Sequence, residues 1–309
     1  MDRARLLAPD ERIRILAGKH LVEPFRSELT DLPAESILVE PQARGTAPVL
    51  AWAAWVLHQQ DPEAILVSLH SDHMIRDMEA FRDLLSEAAA LARAEDLLVT
   101  IAVKPTRPET GYGYIETGEP LGTGSGVEAF RVAQFIEKPD ELTAVKFVVD
   151  GYLWNSGIFV WTARRFLEEV RTHAPGIGEL LPLLEQGDAK EFFQAAPIAP
   201  VDVAVLEKSD RVATMAATFE WDDVGSWESL GRTREMDEDG NVGIGEVYAI
   251  DTLDTIVYGS DEPVVLFGVD GLVVVRTPQA TLITTREKAP HLKVALNQLP
   301  SHVRESEST

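Results

Sequence analysis

The chain has 309 residues, 45% of them hydrophobic and 26% charged, with a formal net charge of -23. That composition supplies enough apolar surface for a sizeable core and argues against wholesale disorder, while the acidic balance works against nucleic-acid phosphates and anionic membranes as partners. With no cysteine, disulfides, thiolate chemistry and Cys-based zinc sites are excluded.

The first residues, MDRARLLAPDERIRIL, are charged from the second position and contain no signal-peptide core. The most apolar helical stretch, 47–57, is too short to cross a bilayer, so a soluble, cytoplasmic protein is expected. In chain order, 13–16 and 36–39 read as strands. A helix follows over 48–59, with Thr46 before it as a cap, then a strand over 64–69, a helix over 78–94 and a buried run over 97–103. The alternation predicts an α/β layer fold with a mostly parallel sheet. From 111 to 139 the pattern turns β-rich with Gly-heavy turns. A strand over 154–161, a helix over 163–173 and broken helix over 177–195 come next. An acidic turn at 236–241 (MDEDGN) marks a boundary. Beyond it, short evenly spaced β runs at 246–250, 255–258, 264–269, 272–277 and 281–285 predict a small β domain or coil, closed by a helix over 288–299.

Four segments carry candidate chemistry. The loop EPQARGTAP (40–48) joins a strand to a helix N-terminus, whose free N–H groups suit an anion; its spacing alone favours a plain capped loop. Asp72 follows a strand directly, where a carboxylate can hold Mg²⁺ or simply open a turn. Glu137 can accept from sugar hydroxyls, Lys138 can neutralise a phosphate, and Asn155 offers donor and acceptor to a polyol. WDDVGSW (221–227) reads either as a turn packed by its two Trp or as a second carboxylate, Asp223, brought to the same metal as Asp72, since a cation between two such groups removes their repulsion.

In this order, EPQARGTAP, LHSDH, RPETGYGYI, FIEKPD, LWNSGIFVW, VDVAVLEK and WDDVGSW resemble the motifs of the mannose-1-phosphate guanylyltransferases across nearly the whole chain. The resemblance implies a Rossmann-like, GT-A-like α/β nucleotidyltransferase domain over 1–236, a small β-helical domain with its closing helix over 237–300, and a polar tail over 301–309. It implies transfer of GMP from GTP to mannose 1-phosphate, with Mg²⁺ as cofactor. Glu40, Arg44 and Thr46 would then lie near the nucleotide and Asp72 and Asp223 on the metal. Gly111 and Gly113 would let the backbone approach the sugar. Glu137 and Asn155 would hold mannose hydroxyls and Lys138 the sugar phosphate, with Asp72, Asp223 and Lys138 as the catalytic set. The exposed β coils could support a homodimer.

The sequence departs from the family pattern at Gly45, His70 and Val203, and the family's opening GGxGxRLxP-type loop has no counterpart. From this the expectation is that Met1 is internal to a longer chain and that a central strand is wanting from the sheet. Two other readings follow: a catalytically inactive, GDP-mannose-binding subunit, and a nucleotidyltransferase for another hexose 1-phosphate.

Overall fold

The computed structural model describes residues 1–123, 126–260 and 262–301, so the expected tail lies, from 302 on, outside the described residues. The chain divides into two compact units. The first is Met1–Ser71 with Ile75–Trp221; the second is Asp72–Met74 with the chain from Asp222 onward.

In chain order the first ten strands are β1 (Ile15–Gly18), β2 (Ile37–Glu40), β3 (Ile65–Ser68), β4 (Met74–Arg76), β5 (Leu98–Val103), β6 (Gly113–Leu121), β7 (Ala129–Glu137), β8 (Leu153–Thr162), β9 (Val212–Ala216) and β10 (Glu220–Asp222); the division between the units falls within β4 and β10, and the rest belong to the first unit. Six of them form one sheet in the order β3-β8-β5-β9-β7-β6, while β1 pairs with β2 and β4 with β10 in two small separate ladders. The expectation of a mostly parallel sheet is corrected. Within the six-stranded sheet only β5 and β9 pair in parallel, because β8 inserts antiparallel between β3 and β5, and β7 runs antiparallel to both β9 and β6. Hydrophobic runs report that strands exist, not which neighbour each one takes.

Alternation along the central strands builds a core on both faces. Leu98 and Ala102 of β5, with Phe159 and Trp161 of β8, pack under the helices Thr46–Gln60 and Ala163–His173. Their neighbours Val99, Ile101, Ile158 and Val160 face the helix Met78–Glu95. The period of two in the strands meets the 3.6-residue period of the helices, which gives an α/β/α sandwich. Helix starts are fixed by side-chain caps: Asp77 accepts from the Ala80 N–H, Asp140 from Thr143, and Thr162 from Arg165. No described helix is long and apolar enough to cross a membrane.

The second unit opens with a helix, Trp227–Thr233, held by a Ser226–Ser229 capping box. Then come β11 (Val242–Ile244), β12 (Val247–Ile250), β13 (Ile256–Gly259), β14 (Val264–Phe267), β15 (Leu272–Arg276) and β16 (Thr281–Thr285). β11, β13 and β15 stack in parallel, with Val242, Ile256 and Val273 in one buried column, and β12 stacks on β14 in the same way. This is a short parallel β coil. The closing helix expected over 288–299 is a short 3₁₀ turn, Ala289–His291, running into one helical turn, Leu292–Leu296.

Candidate active site

The ends of β6, β7 and β8 bring Gly113, Glu137, Lys138 and Asn155 together. A methyl group at Gly113 would stand 2.6 Å from the Glu137 Oε2 and 3.4 Å from the Asn155 Cβ, so glycine there makes room for the carboxylate itself. Glu137 is largely shielded and ion-paired with the exposed Lys138 ammonium. Lys138 takes a left-handed backbone conformation, φ 48°, unusual for a non-glycine residue and typical of strained site positions. Gly111 lies further along the loop, donating to Glu109 Oε1 at 3.2 Å. Beside it Arg107 pairs with Glu109 and lies 5.0 Å over the Trp154 ring.

Asn155 reaches this place through a bulge. Thr100 pairs with Phe159 and Ala102 with Asn155, so β8 carries extra residues across Ser156–Ile158. Gly157 takes the bend at φ 76°, and a Cβ on it would meet His70 Nε2 at 3.0 Å. The Asn155 amide is then committed: Oδ1 accepts from Thr100 Oγ1 at 2.7 Å and from the Gly157 N–H at 3.3 Å, while Nδ2 donates to Asp202 Oδ1 at 2.9 Å. Its acceptor capacity is used inside the protein. The expectation of a donor and an acceptor is therefore narrowed to a donor.

The loop 40–48 is used differently from the expectation. The Arg44 guanidinium donates to the Phe193 and Gln194 carbonyls at 2.7 and 2.8 Å, at the C-terminal end of the helix Ala189–Ala195. The Arg44 N–H donates to Glu40 Oε1 at 3.1 Å, and Thr46 Oγ1 accepts from the Val201 N–H at 2.8 Å. Thr46 is the first residue of its helix rather than the cap. The cap is Gly45 at φ 84°, where a Cβ would lie 2.7 Å from the Ala199 carbonyl oxygen. The anion-ready helix start foreseen there is partly filled, since the Ala47 N–H donates to that same carbonyl and Pro48 has none. Glu40, Arg44 and Thr46 thus clasp the 193–201 segment.

Asp72 precedes β4 and Asp223 follows β10, the two strands that pair, and both aspartates belong to the second compact unit. In the turn after β3, one donor atom each of His70, Asp72 and His73 lie within 4.8 Å of one another. That group does not include Asp223. A carboxylate oxygen such as that of Asp72 suits a hard divalent cation such as Mg²⁺, whereas the adjacent imidazoles suit softer metals. Asp222, next to Asp223, is buried against Arg232 at 2.9 Å and is structural. Val224, between Asp223 and Gly225, sits at φ 44°, a strained setting for a β-branched residue.

Sequence reasoning missed Asp202 and Glu207. Asp202 opens a π-helical turn, Asp202–Leu206, and Glu207, five residues on, follows its end; Glu207 Oε1 accepts the Glu137 N–H at 2.9 Å. Burial, then the nearby Glu137 charge, pushes the Asp202 carboxyl up to about 6. Both lie within the VDVAVLEK segment, but a five-residue spacing matches neither the strand nor the α-helix period.

Comparison with known proteins places this geometry in context. The family model described as nucleotidyl transferase matches residues 10–240, and that described as MannoseP isomerase/GMP-like beta-helix domain matches 245–299. The chain is 37% identical, over 99% of its length, to the xanthan biosynthesis protein XanB of Xanthomonas campestris pv. campestris. It is 37% identical, over 86% of its length, to the mannose-1-phosphate guanylyltransferase of Escherichia coli. It spans 64% of the first relative and 58% of the second, less than two thirds of either. A crystal structure from Thermus thermophilus, described as a mannose-1-phosphate geranyltransferase, superposes with a TM-score of 0.87 at 31% identity, covering 96% of this chain and 87% of that one.

Proposed function

The chain belongs to the nucleotidyl transferase family, and from that premise we propose that it transfers GMP from GTP to mannose 1-phosphate, giving GDP-mannose and pyrophosphate. The observation that carries this reading is the cluster at the ends of β6, β7 and β8: a shielded carboxylate, an exposed ammonium and a donor-only amide, opposite a glycine that keeps the space clear. A carboxylate and an amide donor suit vicinal sugar hydroxyls and oxygens, and the Lys138 ammonium suits the phosphate that must attack. A phosphate oxygen of the sugar forms a bond to the α-phosphorus of GTP as the bond to the pyrophosphate oxygen breaks. No group on the protein becomes covalently attached, so this chain's residues act by holding and orienting the partners. Asp72 and Asp223 would hold Mg²⁺, which supplies positive charge against the triphosphate when bound.

The test is pyrophosphate release from GTP, mannose 1-phosphate and Mg²⁺. Asp72→Asn and Asp223→Asn are each expected to lower kcat/KM by about a hundredfold or more; unchanged rates reject the metal assignment. Running UTP, dTTP and glucose 1-phosphate beside GTP and mannose 1-phosphate decides base and sugar, and release with the other pair alone would move the reading to another hexose 1-phosphate.

A further inference from the structure

We propose that Asp202 is a positioning residue: it holds the Asn155 side chain so that its remaining N–H faces the substrate as a donor, and it thereby helps set which sugar 1-phosphate is accepted. This rests on the nucleotidyl-transfer reading for its substrate, but the contacts themselves stand apart from it.

The orientation of the Asn155 amide is dictated by its partners. The Gly157 backbone N–H can only donate, so the amide oxygen must face it, and the same oxygen also takes the Thr100 hydroxyl. A carboxylate accepts, so the amide nitrogen must face Asp202. With two bonds to the oxygen and one from the nitrogen, one N–H is left, and among the described residues it has no partner. The residue is nearly buried, with 8% of its surface exposed. Such a group can read only an acceptor lone pair on a bound sugar, never a hydroxyl proton.

The Asp202 arrangement has two costs. A buried carboxyl close to Glu137 is unfavourable as an anion, which is why its proton affinity rises. The π-helical turn that carries it is rare, and such turns frequently mark functional positions. The same turn sets Glu207 against the Glu137 N–H, so one irregular element fixes two neighbouring positions of the cluster. The charged groups around Asp202 are Glu137 and Lys138 at the end of β7; Asn155 approaches from β8. A backbone carbonyl would anchor the amide without the burial penalty, so packing alone does not account for a carboxyl here.

Two measurements test this. The first needs no substrate. The chain has three asparagines, Asn155, Asn241 and Asn297; with ¹⁵N-labelled asparagine, the Asn155 side-chain protons should exchange far more slowly than those of exposed Asn297. They should shift as Asp202 titrates, and lose both properties in Asp202→Ala. The second is kinetic. Asp202→Ala should raise KM for the sugar 1-phosphate at least about tenfold, the worth of one charge-assisted hydrogen bond, with KM for the nucleotide changed less than about twofold. Asp202→Asn, whose amide oxygen accepts the same bond, should return the sugar KM to within about threefold. Fast exchange at Asn155 in the wild type, or equal losses for both substrates without rescue, overturns the assignment. If the wild type releases no pyrophosphate with any sugar 1-phosphate, the functional reading falls, and the exchange experiment still decides the role of Asp202.

Discussion

At the scale of the residue, the cluster around Glu137 combines strain with burial. Lys138 holds a left-handed backbone conformation that costs energy in ordinary chains, and Val224, next to Asp223 in the second unit, does the same. Asp202 adds a pH dependence whose sign is unusual for an acid. Its folded-state value of about 6 lies above its ordinary 3.8, so the native state binds the proton more tightly than the unfolded chain does. Its contribution is favourable at low pH, declines as pH rises from about 4 to about 6, and is a fixed penalty above that. Urea unfolding at pH 5 and 7.5 should therefore show the wild type losing stability relative to Asp202→Asn, by an amount on the order of 1–2 kcal/mol. Parallel behaviour of the two proteins would mean that the carboxyl is solvated.

Among elements, the bulge in β8 does most to shape the site. Its Gly157 combines a left-handed φ with a neighbouring imidazole at 3.0 Å from a hypothetical Cβ. Gly157→Ala should cost about 1–3 kcal/mol and displace Asn155, read as a lower Tm together with a raised KM for the sugar 1-phosphate. The sequence made some elements plain and hid others, for physical reasons. The helix Ala163–His173 was legible end to end, because its apolar positions repeat at helical spacing behind a Thr cap. β5 and β8 were legible as long apolar runs. β4 and β10 are three residues each, too short for any period to register. The sheet order was hidden as well, since β8 is placed by contacts far away in sequence. Glu137 and Asn155 stood out as types suited to a sugar, whereas the Asn155–Asp202 bond and the bonds from the Arg44 guanidinium to the Phe193 and Gln194 carbonyls depend on partners 47 to 150 residues away.

The whole molecule consists of two units with separate cores, and each can be perturbed alone. Val273, fully buried in the β-coil column, should on change to Ala destabilise the second unit by about 2 kcal/mol. Hydrogen exchange should then quicken in β13 and β15 while β5 and β9 keep their protection; equal loosening of all four would mean that the units unfold as one. The six-stranded sheet also has a consequence for handling the protein. β3 ends the sheet on one side, and among the described residues no further strand continues it. A terminal strand is the place where an extended chain can add itself to a sheet, rung by rung. Against it stands the large negative charge, which drives copies apart at neutral pH and fades toward the isoelectric point near 4.6. Acidity is thus this protein's dispersant, and mildly acidic or high-salt buffers withdraw it.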